Sequence, residues 1–414
     1  MKKRVMSLLL AAAMVVTMFA ACGGSNNDAN NAGNNDVVST ENNVEVEADA
    51  DYAVAMITDY GDITDQSFNQ TTYEACKAFC EANGVDFKYF KPAADSTADR
   101  VASVELAIDE GYNVIVMPGY AFGGTIAEIS GDYPEVKFFA LDVAAGDLLE
   151  SAVAAAGESY DYNPANWDLN KYVHMDNVYC AIYQEELSGY MAGYAAVKLG
   201  YQKLGFLGGM AVPAVVRFGY GFVQGADAAA AELGTPVEIK YAYGNQFYGD
   251  ADITAAMDTW YGAGTEVVFA CGGGIFTSAA EAAVKVGGKV IGVDTDQSAN
   301  INGAYGEGLT VTSAMKGLYP TTVDTLTDVI LNGNWANYAG NISTLGLVSG
   351  TDVEANYVQI PTATTQWGEG FTQEDYATLV SAMFNGEVTV SNDITVKAAD
   401  LATVITVEDL GNLK

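Results

Sequence analysis

Basic residues are scarce in this sequence. Its 414 residues include 18 lysines and arginines against 53 aspartates and glutamates, for a formal net charge of −35. A chain this acidic repels phosphate backbones and offers no basic patch that could release their counterions. We therefore expect no nucleic-acid partner, and we interpret the acidity as that of a solvated surface that keeps the protein soluble.

Histidine and cysteine are also rare. The sequence has a single histidine, His174, and five cysteines, of which Cys76 and Cys80 lie four residues apart on a predicted helix. Such a pair shares a helix face but offers too few ligands for a metal, so we expect buried thiols and no disulfide scaffold. No nucleophile–base pairing accompanies His174, which favours a protein that is not an enzyme and that uses no metal or cofactor.

Long apolar runs are missing except near the N-terminus. Residues 6–19 are apolar and follow basic residues 2–4, but they fall short of the ~20 residues that span a bilayer. This pattern predicts a lipoprotein signal peptide over 1–21, because small residues precede Cys22 as in a bacterial lipobox. We expect Cys22 to be acylated and residues 22–51 to form a disordered tether, which would anchor the folded part at the cell membrane on the extracytoplasmic side. An ordinary secretory signal followed by an unrelated cysteine is the alternative.

The rest of the chain alternates short apolar runs with helical periodicity, as in a predicted strand over 52–58 and a predicted helix over 69–83. This rhythm is typical of parallel βαβ units. It predicts an α/β fold in which two doubly wound parallel-sheet lobes face each other across a ligand cleft. Ser67 and Gln70 fit a capping box at the start of the predicted helix.

A polar and aromatic segment, 144–176, interrupts this rhythm, and we interpret it as a surface insertion between the lobes. We expect residues 52–176 plus about 303–340 to form the N-terminal lobe. The C-terminal lobe is then expected over 177–302 plus about 341–414.

Short polar clusters follow the predicted strands, where ligands bind in such folds because the carboxyl ends of the strands face the cleft. These clusters are residues 59–62, 65–70, 118–120, 142, 244–250, 271–274, 292–297 and 313–316. Any one of them also fits a tight turn or a helix cap, and Asp65 and Asp250 are candidates for capping. The glycine run 272–274 lacks the Gly-Lys-Ser/Thr ending of a phosphate loop, so nucleotide hydrolysis is not indicated.

Taken in order, several runs resemble one family. They are Asp65-Gln66-Ser67-Phe68-Asn69-Gln70, Gly205-Phe206-Leu207-Gly208-Gly209, Phe218-Gly219-Tyr220-Gly221-Phe222, Gly292-Val293-Asp294-Thr295-Asp296-Gln297 and Thr312-Ser313-Ala314-Met315-Lys316. Over roughly residues 52–350 the chain is similar to the basic membrane protein family, the purine nucleoside receptor A-like substrate-binding lipoproteins of ABC importers. The resemblance implies a type I periplasmic-binding-protein-like fold. The segment before Asn177 and the chain after about residue 350 depart from the family pattern.

The resemblance implies a binding site for a purine base. Phe68 and Phe247 would stack on its two faces, at a gain of ~1–3 kcal/mol per stacked base. Asp142, helped by Asn69, would bind the polar edge of the base, with Asp59 nearby. An ionised Asp142 can only accept hydrogen bonds, which suits the N1–H of a 6-oxopurine. A helix cap or a hinge contact is the alternative role for Asp142.

The resemblance also implies a ribose site formed by Asp294, Lys316 and the Gly273 backbone. Carboxylates suit ribose hydroxyls because they accept two hydrogen bonds, and a lysine would balance the charge of Asp294 in a closed cleft. The implied partners are a purine nucleoside and the permease and ATPase subunits of an ABC importer. A sugar or autoinducer receptor of the same fold, and a surface sensor or adhesin, are the alternatives.

Overall fold

The computed structural model describes residues 51–414. The predicted signal peptide, Cys22 and all of the predicted tether except Asp51 fall in residues 1–50 and lie outside the described residues. The strands are β1 Ala53–Ile57, β2 Asp86–Phe90, β3 Val114–Pro118, β4 Lys137–Leu141, β5 Val178–Tyr183, β6 Lys203–Gly208, β7 Glu238–Tyr243, β8 Val267–Cys271, β9 Lys289–Asp294, β10 Thr310–Lys316, β11 Asn341–Leu345, β12 Val358–Gln359 and β13 Thr406–Asn412. The helices are α1 Phe68–Asn83, α2 Thr97–Asp109, α3 Phe122–Ile129, α4 Ala145–Ala155, α5 Leu169–Tyr172, α6 Glu185–Lys198, α7 Pro213–Leu233, α8 Ala251–Gly262, α9 Phe276–Val286, α10 Ser298–Tyr305, α11 Leu318–Leu326 and α12 Gln373–Phe384.

The strands form one sheet in each of two lobes. The first sheet has the order β11-β5-β4-β3-β1-β2 and is parallel throughout. The second has the order β12-β10-β9-β8-β6-β7-β13 and is parallel except for β12, which runs antiparallel to β10. The predicted α/β fold with two parallel-sheet lobes is confirmed.

Both faces of each sheet are buried, which is why the strands are apolar runs and not alternating patterns. In β1, Val54 and Met56 belong to one core cluster, while Ala55 and Ile57 belong to another on the opposite face. Successive side chains of each strand therefore point to opposite faces of the sheet, and helices pack against both faces.

The predicted lobe boundaries are wrong at three strands. β5 and β11 belong to the first sheet and β10 belongs to the second, whereas the prediction placed each in the other lobe. The chain therefore crosses between the lobes at Gln184, after Lys316 and after Leu345. The physical reason is that βαβ units have the same apolar rhythm in either lobe, so the rhythm does not reveal which sheet a strand joins.

The segment over 144–176 is only partly an insertion. Its first third is α4, an ordinary crossover helix between β4 and β5 that packs against α3. The remainder carries a surface cluster of aromatic rings that contact one another edge to face or at a tilt: Tyr160, Tyr162, Trp167 and Tyr172.

The chain after residue 350 is built into the second lobe. β12 and β13 extend the second sheet at its two edges. Asp227 of α7 accepts hydrogen bonds from the backbone N–H groups of Thr403, Val404 and Ile405 at 2.8 to 3.1 Å. This carboxylate fixes the approach to β13, so the final strand is an integral part of the lobe.

Two sequence predictions about the folded part can be checked directly. Cys76, Cys80, Cys180 and Cys271 are buried free thiols, as predicted. None of the helices in residues 51–414 combines the length and the apolar character that a bilayer crossing needs.

Candidate functional site

A cavity of about 390 Å³ lies between the lobes at the carboxyl ends of the strands. This size is within the range of small-molecule sites. The structure brings all of the predicted site residues to its wall: Asp59, Phe68, Asn69, Asp142, Phe247, Gly273, Asp294 and Lys316.

On the first-lobe side, Asp65 organises the start of α1. Its carboxylate accepts hydrogen bonds from the backbone N–H groups of Ser67 at 2.9 Å, Asn69 at 2.9 Å and Gln70 at 3.0 Å. The predicted capping box of Ser67 and Gln70 is therefore wrong, because Asp65 takes the role of the cap. The Ser67 hydroxyl instead donates to Asp294 of the second lobe at 2.6 Å.

Asp59 is held in the same local way. Its Oδ1 accepts hydrogen bonds from the N–H groups of Tyr60 at 2.6 Å and Gly61 at 2.7 Å. The Asn69 side-chain nitrogen donates to both Asp59 at 3.1 Å and Asp65 at 3.0 Å. A Cβ at Gly61 would lie 2.5 Å from that nitrogen, so a side chain there would displace the Asn69 amide. Burial raises the pKa of Asp59 and of Asp65, although these hydrogen bonds lower it.

This geometry corrects the predicted role of Asn69. Both hydrogens of its amide are engaged by Asp59 and Asp65, so they are not available to a base. Asn69 is only 3% exposed and serves to hold the two carboxylates in place.

A second charged group surrounds Lys316, at the end of β10. Its ammonium nitrogen bonds to Asp142 Oδ2 and lies 3.4 Å from Asp294 Oδ1 and 3.9 Å from Glu185 Oε1. The other Glu185 oxygen accepts a hydrogen bond from Arg217 Nε at 2.6 Å. These five residues, Asp142, Glu185, Arg217, Asp294 and Lys316, are called the lysine cluster below.

Burial and crowding set the protonation of the lysine cluster. Burial raises the pKa of Asp142 to about 7, against the lowering effect of Lys316. For Lys316, burial alone would lower the pKa, but the three surrounding carboxylates outweigh it and raise the pKa above the ordinary lysine value. The lysine therefore stays charged, and Asp142 takes up a proton at a higher pH than an ordinary aspartate does.

The lysine cluster changes the expectation for Asp142. Since one ammonium group contacts both Asp142 and Asp294, the two carboxylates lie at the same end of the cavity. The separate placement of Asp142 at the base and Asp294 at the ribose does not fit this arrangement. Asp142 Oδ1 is buried and accepts no hydrogen bond from residues 51–414, which makes it the oxygen best placed to accept one from a ligand.

Aromatic rings enter the cavity from both lobes. Phe68 begins α1, and its ring centroid lies 4.5 Å from the Lys316 nitrogen. Phe247 lies in the loop after β7, and its ring centroid is 6.3 Å from that of Tyr60. A Cβ at Gly209 would lie 2.5 Å from the Phe247 ring and one at Gly272 would lie 3.0 Å from it. These two glycines therefore make room for the ring.

Two residues of the cavity wall adopt a left-handed backbone conformation, which residues other than glycine rarely adopt. Asp142 has φ of 60° and Asp294 has φ of 66°. Asp142 directly follows β4 and Asp294 is the last residue of β9, both at the edge of the cleft. Such strain costs on the order of 1–3 kcal/mol per residue and concentrates at functional sites, which points to these two turns.

The lobes are bridged across the cleft. The side-chain amide of Gln297 donates to the Gln66 carbonyl at 3.0 Å and to the Gly273 carbonyl at 3.3 Å. The bond to Gln66 and the bond from Ser67 to Asp294 tie the start of α1 to the second lobe, whereas the bond to Gly273 lies within the second lobe. The structure is therefore a closed arrangement of the lobes.

Sequence reasoning missed several residues of the cavity wall. Tyr60 lies in the polar cluster 59–62, and Arg217 directly precedes the family run that begins at Phe218. Both line the cavity, and their positions next to these motifs were a weak sequence indication of a role in the site. Asp147 lies in the first turn of α4, and burial raises its pKa to about 6. Glu185 does not line the cavity but lies 3.9 Å from Lys316, which does; it had no signal in the sequence, because its role depends on partners that only the fold brings near.

The fold and the cleft together define a two-lobed protein of the periplasmic-binding-protein class. The solved ABC transporter solute-binding protein from Conexibacter woesei DSM 14684 has the same fold, with a TM-score of 0.59 at 19% identity over 82% of this chain and 99% of that one. The chain belongs to the family of PnrA-like ABC transporter substrate-binding proteins, whose family model matches residues 52–354. The predicted family is thereby confirmed.

The curated relatives that match this chain are about one quarter identical to it in sequence. The chain is 26% identical over 260 residues to the ABC transporter nucleoside-binding protein BmpA of Lactococcus lactis subsp. cremoris, covering 60% of this chain and 65% of that protein. It is 24% identical over 308 residues to an uncharacterized lipoprotein of Pyrococcus abyssi, covering 71% of this chain and 66% of that protein. The chain thus spans about 65% of the length of the curated relatives it matches.

Proposed function

We propose that this protein captures purine nucleosides as the extracytoplasmic substrate-binding lipoprotein of an ABC importer. The proposal is carried by one observation: Phe68 and Phe247 enter the same cavity from opposite lobes, beside the buried lysine cluster. A flat base suits two rings, and a ribose suits carboxylates that accept hydrogen bonds. The nucleoside-binding name of the Lactococcus lactis relative supports the same ligand class.

The charge of the cavity favours a nucleoside over a nucleotide. Acidic side chains in its wall outnumber basic ones two to one, with Asp59, Asp62, Asp65, Asp142, Asp147 and Asp294 against Lys91, Arg217 and Lys316. The cations in the buried part already contact carboxylates. A phosphate group would meet net repulsion there.

The two ends of the ligand are assigned from the same geometry. Phe68 and Phe247 stack on the base, and purines bind better than pyrimidines because they offer more stacking area. Lys316, Asp294 and Asp142 bind the ribose hydroxyls, with the backbone of Gly273 beside them. This assignment moves Asp142 from the base to the ribose.

A thermal-shift screen of the full acylated chain in detergent tests the proposal. A ligand that binds only the folded state raises its stability, by about 2.7 kcal/mol at a concentration of 100 Kd. We expect guanosine, inosine and adenosine to raise the melting temperature, uridine to raise it less, and guanosine monophosphate to have no effect. Stabilisation by free sugars and not by nucleosides would identify a sugar receptor, and a flat response to every compound would favour a sensor or an adhesin.

The proposed anchor has its own test. The lipoprotein name of the Pyrococcus abyssi relative supports acylation of this chain at Cys22. We expect Cys22→Ala to release the protein from the membrane into the medium, because the lipid would be its attachment. Unchanged partitioning into a detergent phase would contradict the anchor and would leave the ligand proposal untouched.

A further inference from the structure

Glu185 and Arg217 form an ion pair at the ribose end of the cavity, in which Arg217 lines the wall and Glu185 is fully buried outside the lining. Glu185 begins α6 immediately after the lobe crossing at Gln184, and its side chain is 0% exposed. Its Oε2 accepts the 2.6 Å bond from Arg217 Nε, while Oε1 accepts no hydrogen bond from residues 51–414 and lies 3.9 Å from Lys316. Lys316 is thus the nearest alternative cation for Glu185.

The backbone that carries this pair leaves little freedom. A Cβ at Gly189 of α6 would lie 2.2 Å from the Phe218 carbonyl oxygen, and one at Gly221 of α7 would lie 2.0 Å from the Glu186 carbonyl oxygen. The two helices therefore pack backbone against backbone, which fixes the position of Glu185 relative to Arg217. The planar guanidinium adds a preorganised partner, whereas the lysine stem is flexible.

The charge balance of the lysine cluster depends on Arg217. With Arg217 present, three carboxylates face two cations, and Glu185 is satisfied within the second lobe. Without Arg217, a buried Glu185 would have only Lys316 to pair with, and unpaired buried charge is strongly unfavourable. The lysine would then turn toward Glu185 and away from Asp142, which belongs to the first lobe.

We propose that Arg217 and Glu185 are positioning residues that direct Lys316 toward Asp142 and the ribose end of the cleft. Arg217 neutralises Glu185, and this leaves the Lys316 ammonium group available to bridge Asp142 across the cleft. The pair acts through Lys316; because Arg217 also lines the cavity wall, a direct contact of Arg217 with the ligand is the alternative that the variants below exclude. The inference rests on the proposed nucleoside function and adds the residues that prepare its charged end.

Calorimetric titration of guanosine into a set of full-chain variants tests the pair. We expect Arg217→Gln to weaken guanosine by about tenfold or more, because residues of one ion-pair network couple by up to a few kcal/mol. Removing both charges in Arg217→Gln/Glu185→Gln should restore the affinity to within about threefold of the unmodified protein. Arg217→Lys, which keeps the charge, should fall between these limits.

A matched control is available in Arg100. It is a buried arginine of the first lobe, paired with Asp95 at 2.7 Å, and it does not line the cavity. Arg100→Gln should lower stability while leaving guanosine affinity unchanged. An equal loss of affinity in Arg100→Gln and Arg217→Gln would show a general folding effect and would overturn the proposal.

If Arg217→Gln does not fold, the comparison of Glu185→Gln with the double variant decides the matter. Once Glu185 is neutral, loss of Arg217 should leave guanosine affinity unchanged, because there is no carboxylate to compete for the lysine. A double variant that binds more than about tenfold more weakly than Glu185→Gln would show that Arg217 acts on the ligand directly, against the proposal.

Ligand-free crystal structures separate this inference from the nucleoside proposal. In Arg217→Gln or, if that does not fold, in Arg217→Lys, the Lys316 nitrogen should move toward Glu185 Oε1 and away from Asp142, while the double variant should keep the original contact. A lysine that remains on Asp142 in every variant would refute the positioning role. If the unmodified protein binds no nucleoside, the nucleoside function fails, and the position of Lys316 in these structures still tests the pair.

Discussion

The cleft contains two sets of buried carboxylates that are stabilised in different ways. Asp59 and Asp65 are held by N–H groups of residues one to five positions away and by Asn69. Asp142 and Asp294 share the ammonium group of Lys316, and Asp294 also accepts a hydrogen bond from Ser67, so both are held by distant parts of the chain. The first set is a local product of the turn before α1, whereas the second is assembled by the tertiary fold.

This difference has a consequence for the movement of the lobes. The Asp59 and Asp65 network lies wholly in the first lobe, so it remains formed when the lobes separate. The contact of Lys316 with Asp142 crosses the cleft, as does the bond from Ser67 to Asp294, so a separation of the lobes would break both. Hinge closure of two lobes is a common mechanism of binding proteins, and in this protein such a closure would complete the charged end of the site.

The largest expected effect comes from removing the cation of the lysine cluster. Lys316→Met leaves the buried carboxylates of Asp142 and Asp294 without their shared cation, which should lower the free energy of unfolding by about 3–5 kcal/mol. Urea denaturation measures this loss. The control is Lys285→Met, because Lys285 pairs with Asp258 on the surface and is 53% exposed, so its loss should cost about 0–1 kcal/mol. Equal losses in the two variants would contradict the buried network.

A smaller effect is expected at the ribose end. Asp294→Ala removes a carboxylate that we assign to ribose hydroxyls, so guanosine should bind more weakly by roughly 1.5–3 kcal/mol. Guanine, which has no ribose, should lose less. Calorimetric titration of both compounds provides the comparison, and an equal loss for guanosine and guanine would remove Asp294 from the ribose site.

The first set of carboxylates, Asp59 and Asp65, is tested by removing Asp65, which caps α1. Asp65→Ala removes the acceptor for the first N–H groups of α1, which should cost about 0.5–2 kcal/mol of stability. It should also weaken guanosine, because Phe68 and Asn69 start this helix. Ser96→Ala is the matched control, since Ser96 caps α2 by accepting from the Asp99 N–H at 3.1 Å outside the cavity wall. Both variants should lose stability, and a guanosine affinity that is unchanged in Asp65→Ala would separate the cap from the site.

A dependence of stability on pH is also expected. Burial raises the pKa of Asp142 and Glu186 to about 7 and that of Asp147 to about 6. The folded state therefore binds more protons than the unfolded state between about pH 4 and pH 7, and stability falls as pH rises through this window. The melting temperature should be a few degrees lower at about pH 8 than at about pH 5.5.

A matched variant identifies the source of this pH effect. Asp142→Asn removes one of the raised carboxyl groups, so the difference in melting temperature between the two pH values should shrink. A melting temperature that rises from the lower to the higher pH in the unmodified protein would contradict the raised pKa values.

The features that the sequence alone predicted are those that depend on neighbours along the chain. The βαβ rhythm, the family runs and the polar turns after strands were visible because apolar periodicity and turn chemistry act over a few residues. These signals were enough to place all of the predicted binding residues on one cavity wall. They also left the cap of α1 ambiguous between Asp65 and Ser67, since both lie within reach of the same N–H groups.

Only the tertiary structure decided which sheet receives β5, β10 and β11, and which cation meets which carboxylate. Lys316 and Asp142 lie 174 positions apart, and Glu185 has no local feature that distinguishes it from a solvated helix residue. Hydrogen bonds between neighbours follow from the order of residues, whereas sheet membership and buried ion pairs follow from how distant segments pack. For this reason the sequence determined the composition of the site, and the packing of the two lobes determined its charge pattern.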